Sequence, residues 1–224
     1  MGISSKKTLQ LLDKALKEVG STLEDKAVCD LGNQRAWPSV ELPVPLTRKG
    51  YVLRDYYQMV KKVGKHVSID LNGREGALTL DLDTEIDIEK AQGPFELVTN
   101  FGTSEHVGNQ YMCFRKIHRL TSLNGLMYHV VPRVGNWDGH CPYYYDVDFF
   151  ESLANANGYK ALTVKFWNTD PETPQRNRDE CVAVFQKVSD SDFISEEEFA
   201  KIPITFISNP EKTGNYCNNP KGGV

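Results

Sequence analysis

Short apolar runs that end on an acid or an amide recur along the first half of this chain. Lys26 to Leu31 closes on Asp30-Leu31-Gly32, and His66 to Asp70 closes on its own aspartate. Ala77 to Leu82 contains Asp81, and Phe95 to Asn100 ends on an amide. Runs of this length predict buried strands, and polar groups at their carboxyl ends are what an open parallel sheet offers to a ligand. Between and beyond them the period changes to three and four. Leu9, Leu12, Leu16 and Val19 predict a helix over Ser4 to Val19, stopped by Gly20. Val52, Tyr56, Met59 and Val63 predict one over Gly50 to Val63. Val107, Tyr111, Phe114, Ile117 and Leu120 predict one over Thr103 to Leu120. Asn124-Gly125 is a turn signal before a fifth strand, Leu126 to Val131.

A Gly-rich, aromatic loop runs from Arg133 to Tyr145. Asp146 to Asn157 then reads as a helix ended by Gly158. Tyr159 to Trp167 and Cys181 to Val188 are the last strands, joined by a polar loop, Asp170 to Glu180, with no helix between them. A short acidic helix is expected at Ser195 to Lys201. The succession predicts an α/β fold: a doubly wound, mostly parallel seven-stranded sheet with an antiparallel last strand and helices on both faces. The expected division is an N-terminal helix (1–25), a sheet domain (26–190) and a C-terminal extension (191–224). Pro38, Pro43 and Pro45 exclude a regular helix from the inserted loop 33–49, which reads as a substrate-facing loop or a rigid lid edge.

Composition narrows the function. With 224 residues, 40% of them hydrophobic, the chain can bury a core without staples. A net charge of -4 argues against a nonspecific nucleic-acid binder. Five scattered cysteines form no C-x-x-C pair, so neither a zinc cluster nor a disulfide framework is expected. No apolar segment is long enough to span a membrane, and a reducing, cytoplasmic location is the expectation.

The order of these features resembles the class I S-adenosylmethionine-dependent methyltransferases over about Lys26 to Val188. Four places carry it: Asp30-Leu31-Gly32 after the first strand, Asp70 after the second, Asp81 in the third, and Phe95 to Val107 with its Glu105-His106-Val107 opening. The resemblance implies S-adenosyl-L-methionine as cofactor, Asp70 on the ribose hydroxyls and Asp81 near the adenine amino group, with Asp83 competing for that place. Asp30, Gly32, Asn33, Leu71, Leu82, Asn100 and His106 complete the expected cofactor set. One departure is plain. Gly32 is followed by Asn33-Gln34-Arg35, without the family's second glycine. The G-x-G-x-x-G dinucleotide fingerprint is also absent, which speaks against a nicotinamide-dependent oxidoreductase. A bland reading of the aspartates, as caps of turns and helices, stays open.

Methyl transfer from a sulfonium is a displacement that depends on placing the acceptor in line, with a base only where the acceptor arrives protonated. His140 is the preferred base, in a loop beside Tyr143, Tyr144 and Tyr145. His129 and Tyr143 are the further candidates, although a histidine inside a strand is more often a core residue. His66 and His118 read as structural. No two histidines are spaced as metal ligands, so no metal is expected. The expected activity is methylation of a small molecule at oxygen or nitrogen. A non-catalytic methyltransferase-like binding protein and an NAD(P)-dependent oxidoreductase are the alternatives.

Overall fold

The computed structural model describes residues 2–84, 88–137, 139–168 and 178–207. Glu85, Asp87, Asp138, Cys217 and most of the Asp170 to Glu180 loop lie outside them.

In chain order, β1 (Gly2–Ile3) precedes α1 (Lys6–Glu18), followed by β2 (Ala27–Leu31), β3 (Arg35–Ala36), β4 (Leu46–Thr47) and β5 (Gly50–Val52). Then come α2 (Leu53–Met59), β6 (Lys65–Ile69), β7 (Phe95–Phe101), α3 (Gln110–Leu120) and β8 (Thr121–Pro132). The last part holds β9 (Tyr143–Tyr144), α4 (Val147–Asn157), β10 (Lys160–Asn168), β11 (Asp179–Gln186), α5 (Glu196–Phe199) and β12 (Thr205–Phe206).

The main sheet has six strands in the order β10-β11-β8-β7-β2-β6. β6, β2, β7 and β8 run parallel. β11 runs antiparallel to both β8 and β10 and lies between them. The expected third strand, Ala77 to Leu82, is not a strand. Leu78 makes a single bridge to Ile69, and the Leu80 amide then donates back to the Leu78 carbonyl at 2.9 Å, a tight turn that takes the chain off the ladder. Leu80 and Leu82 still bury their side chains, so the apolar run reports packing rather than pairing.

Alternate residues of the strands feed two cores. Val28, Leu97, Tyr128, Val182 and Val184 face α1 and α2, where Leu9, Leu12, Leu16, Leu53 and Tyr57 pack. Cys29, Val98, Met127, Cys181, Ala183 and Phe185 face the opposite way, onto Phe114 and Ile117 of α3 and Phe149, Phe150 and Leu153 of α4. This period of two, with both faces covered, is what a doubly wound sheet requires. Every α-helix but α2 starts on a side-chain cap among the described residues: Ser5 for α1, Asn109 for α3, Asp146 for α4, and a Ser195–Glu198 capping box for α5.

Two expected helices are shorter than their periodicity. Gly50–Val52 of the predicted second helix pairs with β3 and β4 instead. The stretch from Thr103 begins with a 3-10 turn at Ser104–His106 and becomes α-helical only at Gln110. The loop 33–49 contributes to a small sheet, β1-β3-β5-β4, with Pro38 opening a 3-10 turn. No helix among the described residues is long and apolar enough to cross a membrane.

Candidate functional site

Because β6, β2, β7 and β8 are parallel neighbours, the residues that follow them gather at one end of the sheet: Asp70, Gly32, the Thr103 to His106 turn, and the loop through His140.

Asp30 does not line this end. It shares the strand face of Val28, so its side chain points into the α1–α2 layer and is 1% exposed. The Thr99 hydroxyl donates to it at 2.5 Å and His66 Nε2 at 2.9 Å. A carboxylate only accepts, so His66 carries the proton on Nε2. The His66 ring stacks on Tyr57 at 5.5 Å. Where the sequence predicts the floor of a cofactor pocket, the structure places Asp30 in a buried hydrogen-bonded centre with Thr99 and His66.

Asp70 does stand at the strand end, half-buried. One oxygen accepts the Asn33 amide at 2.9 Å and the other the Asn72 amide at 3.0 Å. These bonds fix the carboxylate and tie the loops after β2 and β6 together. Asn33 Nδ2 donates to the Arg74 carbonyl and to Glu75, and Arg35 pairs with Glu75.

Gly32 has φ +82°, and its amide donates to the Ile69 carbonyl at 2.7 Å. A Cβ here would meet Thr103 Oγ1 at 2.7 Å and Gln34 Nε2 at 2.9 Å. The space beside this glycine is thus held by two of the chain's own side chains. Both also donate to the Leu31 carbonyl, Gln34 at 2.5 Å and Thr103 at 2.7 Å. Gln34 Oε1 is buried with no hydrogen-bond partner among the described residues.

The remaining expected cofactor residues scatter. Leu71 is exposed, and Leu82 is in the core. Asp81 caps the Asp83 amide with its side chain, while its carbonyl accepts from Lys116. Asp83 accepts the Asn109 amide. Asn100 is buried and fully used: its Oδ1 accepts the Ser104 amide, and its Nδ2 donates to Ser104 Oγ at 2.8 Å and to His129 Nδ1 at 3.2 Å. That last bond leaves the His129 proton on Nε2. His129 is 1% exposed among Phe114, Phe150 and Phe185, and burial pulls its pKa down to about 3. It is a neutral core histidine, not a base facing open space. Tyr143 donates to the Gly108 carbonyl at 2.8 Å and packs on Phe206 at 5.1 Å, so its hydroxyl is engaged in holding the turn before α3.

His140 and His106 come together, although sequence spacing gave no sign of it. Their rings meet edge-on with centroids 5.0 Å apart. Between them lies Glu105, whose side chain is fully buried, with His106 Nε2 at 3.7 Å and His140 Nε2 at 3.9 Å from Oε1. Burial pushes the Glu105 carboxyl up to about 8, pulls His106 down to about 3 and lowers His140. Sequence reasoning used Glu105 only as part of the Glu105-His106-Val107 opening and gave it no role of its own. The signal that was available was an acid next to a histidine just past an apolar strand.

Both sides of this group are braced. Tyr145 OH lies 2.9 Å from Ser104 Oγ and 2.7 Å from Gln110 Oε1, and Gln110 Nε2 donates to the Ser104 and Val107 carbonyls. This fixes the turn that carries Glu105 and His106. The buried Tyr144 hydroxyl donates to the Trp137 carbonyl and accepts the His140 and Cys141 amides, which shapes the loop of His140. A cavity of about 270 Å³ opens at the opposite end of the sheet, between Leu16, Lys26, Glu96 and Ser122, and no candidate residue lines it.

No family model matches the chain, and no curated protein matches it. Solved structures do. One is the 1,6-didemethyltoxoflavin-N1-methyltransferase of Burkholderia thailandensis, with 1,6-didemethyltoxoflavin and S-adenosylhomocysteine bound. It is 14% identical over 79% of this chain and 76% of that one, with a TM-score of 0.44. A S-adenosylmethionine-dependent methyltransferase from Archaeoglobus fulgidus is 10% identical over 80% and 94%, at 0.42. MycE of the mycinamycin pathway, in complex with Mg and S-adenosylhomocysteine, is 12% identical over 85% and 53%, at 0.48. Likeness of this degree identifies neither substrate nor acceptor. The fold is decided by the sheet itself: β6-β2-β7-β8 parallel, then an antiparallel β11 slotted in before β10. It is a doubly wound α/β fold with an antiparallel last strand. Within that fold the Asp70 and Gly32 loops form one half of the sheet end, and the Glu105–His106–His140 group forms the other.

Proposed function

We propose that this chain is an S-adenosylmethionine-dependent methyltransferase acting on a small molecule at oxygen or nitrogen. The observation that carries the reading is Asp70. Its carboxylate is half-buried at a parallel strand end and fixed by one backbone amide on each oxygen. A carboxylate has about four lone-pair sites, so each oxygen keeps one for a neighbouring ribose hydroxyl. The fit is good there. Beside Gly32 it depends on Gln34, whose side chain fills the close-approach side while its own Oε1 lacks a partner among the described residues. That oxygen suits a donor such as the cofactor's ammonium group.

The bound cofactor supplies an electrophilic methyl group on sulfonium sulfur. The chain's share is to hold the ribose through Asp70 and to place the acceptor beside the turn after β7 and the loop after β8. His140 is about one-third exposed and neutral at working pH because burial lowers its pKa. Its Nε2 can therefore take a proton from a hydroxyl or ammonium acceptor.

The filled space beside Gly32 favours a second reading, a methyltransferase-like protein without turnover. Calorimetric titration with S-adenosylhomocysteine separates the two. Saturable binding is expected, weakened about 5- to 150-fold in Asp70→Ala, the ~1–3 kcal/mol of unpaired ribose donors. No heat with either S-adenosylmethionine or S-adenosylhomocysteine overturns the first reading and leaves the second.

A further inference from the structure

Glu105 poses a problem of its own. Its carboxylate is buried with no exposure, and neither oxygen has a hydrogen-bond partner among the described residues. His106 Nε2 and His140 Nε2 are 3.7 and 3.9 Å from Oε1, too far for hydrogen bonds. An acid buried this way without compensation is expensive, yet the fold braces both sides of it, through Ser104–Tyr145–Gln110 and through the Tyr144 hydroxyl.

We propose that Glu105, His106 and His140 form a binding site for one first-row divalent metal ion. One ligand atom from each lies within 4.8 Å of the others, around a common centre. Two ligand atoms on a zinc ion at ~2.0–2.1 Å stand about 3.4 Å apart, so a modest inward turn of the three side chains seats an ion. Two imidazoles and one carboxylate are a donor set for zinc or for iron(II), and with three protein ligands at least one coordination position stays open. His140 is the exposed member at 32%, which supplies the route of entry and the direction of the open position. The ion's charge meets the one carboxylate of the group, which resolves the burial of Glu105. The Asn100 amide and the Tyr144 and Tyr145 hydroxyls hold the turns that carry the three residues and do not contact the three side chains.

Ion binding stands independently of the methyl-transfer reading. A role for the ion does rest on it: an acceptor oxygen or nitrogen in the open position would be polarised and would lose its proton more readily. His140 would then serve as a ligand and not as the base.

The test uses the full chain, stripped with chelator and titrated with cobalt(II) without any cofactor present. A saturable visible absorption at one equivalent, displaced by zinc, is expected. Glu105→Gln and His140→Ala should each weaken it about tenfold or more, with native circular dichroism. His140→Ala, at the exposed position, covers the case in which Glu105→Gln does not fold. Absence of saturable cobalt absorption in the folded chain, or titrations of both folded variants that match the unaltered chain, would overturn the site. Neither outcome touches S-adenosylhomocysteine binding at Asp70, which is measured separately.

Discussion

Replacing Asp30 with alanine separates a structural role from a cofactor role. Two buried donors lose their acceptor, the Thr99 hydroxyl at 2.5 Å and His66 Nε2 at 2.9 Å. Each stranded donor costs about 1–3 kcal/mol, so two stranded donors cost about 2–6 kcal/mol. Taking ~3 kcal/mol, and ~2–4 °C per kcal/mol for a chain of this size, the melting temperature should fall by about 6–12 °C. Asp30→Asn keeps one acceptor oxygen but turns an amide N–H towards the other donor, so it should fall between. The assay is thermal unfolding followed by circular dichroism. It is paired with a double-mutant cycle against His66→Ala, in which the two losses should be clearly less than additive. A fall in melting temperature below about 2 °C would refute the reasoning. So would undiminished stability with a large loss of S-adenosylhomocysteine affinity, since that would return Asp30 to the pocket.

Phe114→Ala removes a ring in contact with His129, Tyr145, Phe149, Phe150 and Phe199, and chemical denaturation should show a loss of about 3–5 kcal/mol. Asp146→Ala deletes the cap of α4, a bond to the Val147 amide at 2.8 Å, along with the pairing to Arg133; about 1 kcal/mol should be lost in the same assay. Glu180, which accepts from Trp167 Nε1 at 3.2 Å, is raised by burial from 4.5 to about 7. Between those values the folded chain holds a proton that the unfolded chain has given up, so stability should fall as pH rises through that window. Melting temperatures taken from pH 4.5 to 7.5 should show a flatter profile in Glu180→Gln, and an unchanged slope would exclude Glu180 as the source.

The central strands of the main sheet were legible because they are buried on both faces. Val28 to Leu31, Leu97 to Asn100 and Cys181 to Phe185 are buried throughout, so no exposed polar face interrupts them. The run at Ala77 to Leu82 misled for the same reason. Leu80 and Leu82 are apolar because they reach the core, and periodicity does not record whether the backbone pairs. The two-residue strands of the small sheet carry no period at all. At the site, Asp70 was readable as a strand-terminal acid. Asp30 was read as another, but alternation along a strand decides that it points sideways into the helix layer. The Glu105–His106–His140 group was invisible to spacing because one loop supplies two members and a different loop the third. Only the parallel pairing of β7 with β8 brings those loops together.

The antiparallel β11 has a consequence for how the chain is made. It follows β10 in the chain, yet it occupies an interior position, between β8 and β10. Until residues 179–186 emerge, β10 has no partner in the sheet and β8 shows a free apolar edge through Tyr128 to Val131. Completion of the sheet by insertion, rather than by addition at a rim, makes the nascent chain most prone to edge pairing just before β11 emerges. A truncation after Asn168 should be insoluble, although it retains every residue of the candidate site.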